Sequence, residues 1–446
     1  MNRTLDFLRP LITDLNSVEK RKLSFEILDF YAKKAETISD FDVLGELALK
    51  SEHRDLYIWC AESAYSKATT NDQLFAARTN LISAYNALNE PEKALFYIDL
   101  NIQVKPGDFD LLMHRAFNLA LMGKREEAEA LIESLINDGT KTIDDIRYAL
   151  SGKMLRNGET AAGILNFIDT FKPKNPLFED VYKMEKWIGQ PRPGKTIFVN
   201  GEGGIGDELI NIRFFEHLKQ RGMNPILYSS WSMYRPDIVN VFRRHGHHVI
   251  TDRYSIDESQ IWTNMMPLPG YLGLSEEELW TGPYLTPLRQ PKNEIRGKFK
   301  IGIKNAGNPY FSQDQYRKMD FNQMVSYLPE HADIYYIGKD PIPDNKRVVS
   351  LDPVINSWED TLDFIDQMDI IVSSCTSLVH AAGAMGKRTI VMVPIAEYYV
   401  WTSTRKNETT PWYGDNFTVL KQSKIRSWVE PLTRMREILD NEFPPV

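Results

Sequence analysis

Over the first 190 residues apolar positions recur three and four apart, the spacing of amphipathic helices, with polar turns between them. Three of those turns align: Asn89-Glu-Pro-Glu-Lys-Ala94, Gly123-Lys-Arg-Glu-Glu-Ala128 and Asn157-Gly-Glu-Thr-Ala-Ala162, each 34 residues after the one before. Leu81 and Tyr85 precede the first turn, Ala94 and Ile98 follow it, and Pro106 closes the unit; Leu119, Ala128 and Ile132 take the corresponding places in the next. A degenerate unit around Asp55 and Cys60 keeps the same phase. A constant period predicts stacked helix pairs, because a small residue at one repeated place lets two helices approach while its neighbours fill the groove.

Thirty-four residues is the tetratricopeptide period, so residues 1–190 are expected to form a helical tetratricopeptide-repeat domain whose concave face takes an acceptor or partner. After Gln190-Pro-Arg-Pro-Gly194 short β-rich runs alternate with helices. Strands are expected at Thr196 to Asn200, Pro225 to Ser230 and His247 to Thr251, then at Lys300 to Lys304, Asp333 to Gly338, Val348 to Leu351, Asp369 to Ser374, Thr389 to Pro394 and Phe417 to Lys421. Such alternation predicts parallel, doubly wound sheets. A stretch rich in proline and glycine, Met266 to Lys298, separates two halves, giving Rossmann-like lobes over residues 191–290 and 291–446. The expected class is thus α plus α/β, with a ligand cleft between the carboxyl ends of the two sets of strands.

The first candidate chemistry lies at Gly201-Glu-Gly203-Gly204-Ile-Gly206-Asp207, where a strand runs through glycines into a helix. Gly203, Gly204 and Gly206 have no Cβ to block a ligand, and helix N-terminal amides favour an anion. Asp207 is either an N-cap or an acid/base group. The Gly-x-Gly-x-x-Gly pattern also fits dinucleotide binding, but the next strand, Pro225-Ile-Leu-Tyr-Ser-Ser-Trp231, carries no acid for a ribose, and Arg235 lies beyond it. No P-loop motif occurs.

Two segments of the second half also carry polar turns between strand and helix. Ile301-Gly-Ile-Lys304-Asn-Ala-Gly307-Asn308-Pro309 is followed by Asp314 and Arg317, offering cations and turn amides to phosphate. Ser373-Ser-Cys375-Thr376-Ser377 opens a helix bearing His380, which is either a ligand-contacting or a packed core residue. Composition narrows the partners. A net charge of −8 gives no footprint for nucleic acid, and two cysteines, Cys60 and Cys375, make neither a disulfide framework nor a thiol zinc site. The amino terminus lacks a signal peptide's apolar core and no run suits a membrane span, so a cytoplasmic location is expected.

Over nearly all of residues 75–440 the chain resembles tetratricopeptide proteins fused to a glycosyltransferase domain like that of bacterial ADP-heptose lipopolysaccharide heptosyltransferases. The resemblance is carried by Gly194-Lys-Thr-Ile with Gly-Ile-Gly-Asp207, Met266-Pro-Leu-Pro269, Gly282-Pro-Tyr-Leu285, the segment from Ile301 to Pro309, Thr376-Ser-Leu-Val-His380-Ala-Ala, Tyr399-Val-Trp401 and Pro411-Trp412-Tyr413. It implies an inverting transferase of GT-B fold that needs no metal or other cofactor, with Asp207 as base. It also implies a sugar nucleotide held mainly by the second lobe, where Lys304, Asn308, Arg317, Thr376, Ser377 and His380 are the expected donor-binding residues.

Two departures mark this chain. Cys375 stands where the family usually has Asp, and Lys304-Asn305 where relatives tend to have an aromatic or hydroxyl residue. Tyr398, Tyr399 and Trp401 either stack on a ligand or pack. The leading expectation is a sugar transferase whose repeats present a protein, peptide or glycan acceptor. The alternative is a non-catalytic repeat scaffold with a degenerate transferase-like domain. Sugar modification of hydroxylated DNA bases is disfavoured by the acidic charge.

Overall fold

The computed structural model describes residues 18–51, 53–137, 151–168, 184–229, 235–251, 260–288, 291–308 and 314–445. The expected positions Ser230, Trp231 and Pro309 lie outside these. The chain divides into two compact units, Met1–Gly139 and Thr140–Val446, a division well before the proline-rich break at residues 190–194.

The first unit is helical throughout its described residues: α1 (Val18–Ala32), α2 (Ile38–Lys50), α3 (Arg54–Lys67), α4 (Asn71–Ala87), α5 (Pro91–Val104), α6 (Phe109–Leu121) and α7 (Arg125–Asn137), each packed on the next. Local chemistry sets the boundaries. Thr37 and Thr70 accept the amides of Asp40 and Gln73 at 3.2 Å, and Asp108 accepts that of Leu111 at 3.1 Å, so each fills an orphan donor at a helix start. Helices α4 and α6 stop at residues in the left-handed region, Asn89 (φ 61°) and Gly123 (φ 79°), where Glu90 and Lys124 donate back to Tyr85 and Leu119 at 2.9 Å. Ala94 and Ala128, five residues beyond those turns, are both buried.

The same local motif opens the second unit with a one-residue shift. Gly158 (φ 79°), not Asn157, takes the left-handed place, Glu159 donates to Met154 at 2.9 Å, and the buried small residue five positions on is Gly163. Ala162 is exposed, which corrects the 34-residue phase there. Glycine adopts positive φ more readily than asparagine, so the turn settles on Gly158 and carries the buried position with it.

Helix α8 (Thr160–Ile168) precedes two wholly parallel sheets. The first contains β1 (Glu185–Lys186), β2 (Thr196–Asn200), β3 (Asn224–Tyr228), β4 (His248–Ile250) and β5 (Ile261–Asn264) in the order β1-β5-β2-β3-β4. The second contains β6 (Lys300–Lys304), β7 (Asp333–Tyr336), β8 (Val348–Ser350), β9 (Ile370–Ser374), β10 (Thr389–Val393) and β11 (Phe417–Lys421) in the order β11-β10-β9-β6-β7-β8. Expected strands β2, β6 and β11 match in full. Strands β1 and β5 were not expected, because two and four residues are too few to show a period. Strand β1 also places part of the first sheet before residue 190.

Helices α9 (Ile205–Asn211), after β2, and α12 (Ser377–Ala384), after β9, pack on each other, so the layers of the two sheets meet. A second contact joins α10 (Pro236–Arg244) to α11 (Trp358–Gln367): Arg244 pairs with Glu359 at 2.7 Å, and Asp237 accepts the Trp358 amide at 2.8 Å. No described helix is long and apolar enough to cross a membrane.

Candidate functional site

The glycine-rich turn brings its acid into the junction of the two layers. Gly203 has φ 77°, and a Cβ there would lie 2.4 Å from the Asp207 Oδ2, so this position requires glycine twice over. The helix cap is Gly204 rather than Asp207. Asp207 is the third helical residue, and its Oδ2 accepts the Gly204 amide at 2.6 Å, the reciprocal half of a capping box. Its Oδ1 accepts the Tyr398 hydroxyl at 3.1 Å across the junction. Burial raises the Asp207 pKa above the usual aspartate value, while the Gly204 amide, the Tyr398 hydroxyl and the Arg317 charge oppose that rise.

Two further acids flank Asp207, Glu202 in the turn and Glu208 in α9. Glu202 accepts the Met266 amide at 3.1 Å, and its pKa is pushed up to about 7, chiefly by burial with the nearby Asp207 charge adding, while that amide and Lys186 pull it down. Glu208 is fully buried and accepts the Ser229 hydroxyl at 2.8 Å. A Cβ on Gly201 would lie 2.3 Å from the Glu208 Oε1, so this glycine makes room for the carboxyl. Glu202 stands in the motif and Glu208 directly after it, but spacing alone does not tell which of these acids face inward.

On the second sheet, Thr376 caps α12 and Ser377 begins it. Thr376 Oγ1 lies 3.4 Å from Ser373 Oγ. Arg317 is braced between loops: Nη1 donates to the main-chain carbonyl of Cys375 at 2.7 Å and Nε to Asp314 at 2.8 Å. Asp314 is buried and also accepts the Gly307 amide at 2.9 Å. A Cβ on Gly307 would lie 2.0 Å from Arg317 Nη2, so the loop passes tightly over the guanidinium. Burial pushes the Cys375 thiol up to about 11, which keeps it protonated. Asn308 is exposed beside this loop.

Two expected donor-binding residues have other engagements. Lys304 pairs with Asp340 and lies 5.3 Å from the Tyr336 ring centre, so its charge is answered on its own sheet. His380 is buried, stacked on Trp401 at 5.5 Å, with Nδ1 2.8 Å from the Tyr413 hydroxyl. Burial, with Arg213 and Arg317 adding, drives its pKa down to about 3. It is therefore neutral at neutral pH and brings no positive charge to a phosphate. The nearby Arg213, buried and unremarked in the sequence, donates to the carbonyls of Ile210, Leu279 and Trp412 among five aromatic rings.

At this junction Gly206, next to Asp207, packs against Ser377 at the start of α12, and the Arg317 charge acts on the Asp207 carboxyl group. A carboxylate can accept a proton, and a helix N-terminus and a guanidinium can stabilise an anion. No family model and no curated protein matches the chain. Among solved structures it is similar to TibC, a dodecameric iron-containing heptosyltransferase from enterotoxigenic E. coli crystallised with ADP-D-beta-D-heptose, at 9% identity and TM-score 0.35 over 50% of this chain. The chain spans 63% of that structure's length. It is also similar to a mutant O-GlcNAc transferase of Thermobaculum terrenum (13% identity, TM-score 0.31, 94% of this chain and 93% of that one). A third is a family 9 glycosyl transferase of Veillonella parvula (9%, TM-score 0.30, 58% and 92%). The functional reading rests on the site itself.

Proposed function

We propose that this chain is an inverting glycosyltransferase that moves a sugar from a sugar nucleotide to an acceptor hydroxyl without a metal. In this reading the parallel sheets are the two lobes of a GT-B enzyme, and the helix pairs of the first unit are a tetratricopeptide array that presents a protein, peptide or glycan acceptor in the cytoplasm. One observation carries the proposal: the Asp207 carboxylate and the Arg317 guanidinium, from different sheets, come within electrostatic reach of each other where α9 packs on α12.

The acceptor hydroxyl loses its proton to Asp207 as its oxygen bonds to the anomeric carbon. The bond from that carbon to the diphosphate breaks, and the electron pair leaves with the diphosphate. Arg317 and the N-terminus of α12 at Thr376 and Ser377 take up that charge, with Asn308 at the margin. The scaffold alternative draws on Cys375. However, residue 375 holds Arg317 through its main-chain carbonyl, which any residue supplies, and Asp314 provides the acid. That favours a working site.

The test is thermal shift and hydrolysis with a panel including ADP-heptose and UDP-N-acetylglucosamine. A nucleotide that binds the folded form raises the melting temperature. Absence of both shift and hydrolysis across the panel would favour the scaffold.

A further inference from the structure

Asp207 is held by a residue that lies far from it in the sequence. Tyr398, in the loop after β10, places its hydroxyl 3.1 Å from Asp207 Oδ1 and 3.9 Å from the Met266 sulfur, while the Met266 amide holds Glu202. Its ring meets Phe167 of α8 edge-on, centroids 5.7 Å apart at 85°, and Tyr399 at 4.6 Å. Phe167 also packs on Tyr399 at 5.1 Å. The glycine turn and the loop after β10 thus meet at one carboxyl group, and α8 packs against the ring that reaches it.

We propose that Tyr398 is a positioning residue for sugar transfer, its hydroxyl fixing the plane of the Asp207 carboxylate across the junction while Phe167 sets the angle of its ring. The proposal rests on the reading of Asp207 as the base. A carboxylate held at one oxygen turns readily about its last torsion, whereas the Gly204 amide on Oδ2 and the Tyr398 hydroxyl on Oδ1 together fix it. Each oxygen keeps a further lone pair, so an acceptor proton still finds a site.

The bond also acts on ionisation. The titratable and charged groups around Asp207 are Glu202 in its own turn, Arg317 on the second sheet, and Tyr398 and Tyr399 after β10; the neutral His380 packs beside Gly206. A donor to the carboxylate favours its charged form, so its removal raises the Asp207 pKa further. A carboxyl whose folded pKa exceeds its unfolded one contributes stability at low pH, and that contribution is lost as pH rises through the folded value.

The test is Tyr398→Phe, alone and with Asp207→Asn, followed by urea unfolding from about pH 4 to 8 and by pH profiles of ADP-heptose and UDP-N-acetylglucosamine hydrolysis. Tyr398→Phe should displace the pH-dependent loss of stability, and the acid limb of hydrolysis, upward by roughly 0.5–1 pH unit at unchanged donor KM. Adding it to Asp207→Asn should change no pH dependence. Wild-type pH profiles in Tyr398→Phe, with hydrolysis lost in Asp207→Asn, would overturn the positioning role and leave the base standing. Wild-type hydrolysis in Asp207→Asn would instead remove the base.

Discussion

A Cβ on Gly206 would lie 2.8 Å from His380 Cδ2 and 3.5 Å from the Ser377 Cα, so the absence of a side chain at Gly206 is what lets α9 and α12 touch. Gly206→Ala must push the His380 ring or separate the helices. Overpacking of this kind costs about 1–3 kcal/mol, more than the ~1 kcal/mol that alanine returns in helix propensity. At Gly204 the nearest atom to an added Cβ is 3.5 Å away, an ordinary contact, so Gly204→Ala should cost only the smaller penalty of alanine at an N-cap, about 0.5 kcal/mol. Urea unfolding of the two variants checks this; equal stability would mean that the helices do not pack as described.

Asp207→Asn separates catalysis from capping. The asparagine oxygen still accepts the Gly204 amide, but the amide cannot take a proton from an acceptor. Turnover should fall roughly 10²–10⁴-fold. Stability should not fall at any pH where Asp207 is ionised, because a carboxyl with a raised folded pKa has lost its stabilising contribution there. A large loss of stability with turnover retained would make Asp207 purely structural.

The residues that the sequence made legible are those whose role follows from a local pattern. Thr376 and Ser377 stand where strand-turn-helix spacing put them, Asp207 lies three residues past the Gly204 cap, and the shift from Asn157 to Gly158 shows how narrowly a turn's choice of left-handed residue decides burial at Ala162 and Gly163. What the pattern did not disclose depends on contacts between distant segments. Tyr398 reaches Asp207 across 191 positions, and Arg213 reaches the Trp412 carbonyl across 199. Lys304 and His380 read as phosphate ligands by residue type, yet their partners, Asp340 and Tyr413, come from other elements that no local period connects to them.

Arg317→Ala should affect both binding and folding. Its loss leaves the buried Asp314 with the Gly307 amide and strips a donor from the Cys375 carbonyl. Because the pair is largely shielded from water, the stability loss should be about 2–4 kcal/mol. Titration calorimetry with ADP and UDP should show weakened binding, with Arg317→Lys intermediate because lysine keeps the charge but not the planar fork. Undiminished affinity in a folded Arg317→Ala variant would move the diphosphate elsewhere.

Helix α8 belongs to the second unit by its contacts. Helix α8 packs on both layers: a Cβ on Gly270 would lie 2.6 Å from Leu165 Cγ and 3.0 Å from the Ala161 carbonyl oxygen, while Phe167 meets Tyr398 and Tyr399. Arg156, just before it, lies 4.0 Å from Glu397. Removal of residues 1–139 should therefore leave a cooperative, folded unit that still hydrolyses its sugar nucleotide but no longer transfers to a macromolecular acceptor. Removal of 1–168 should strip the apolar cover from Tyr398, Tyr399 and Gly270, lower the urea midpoint markedly and abolish hydrolysis as well. If both truncations melt and hydrolyse alike, α8 belongs functionally with the repeats; if the shorter one already loses hydrolysis, the first unit supports the site and does more than present an acceptor.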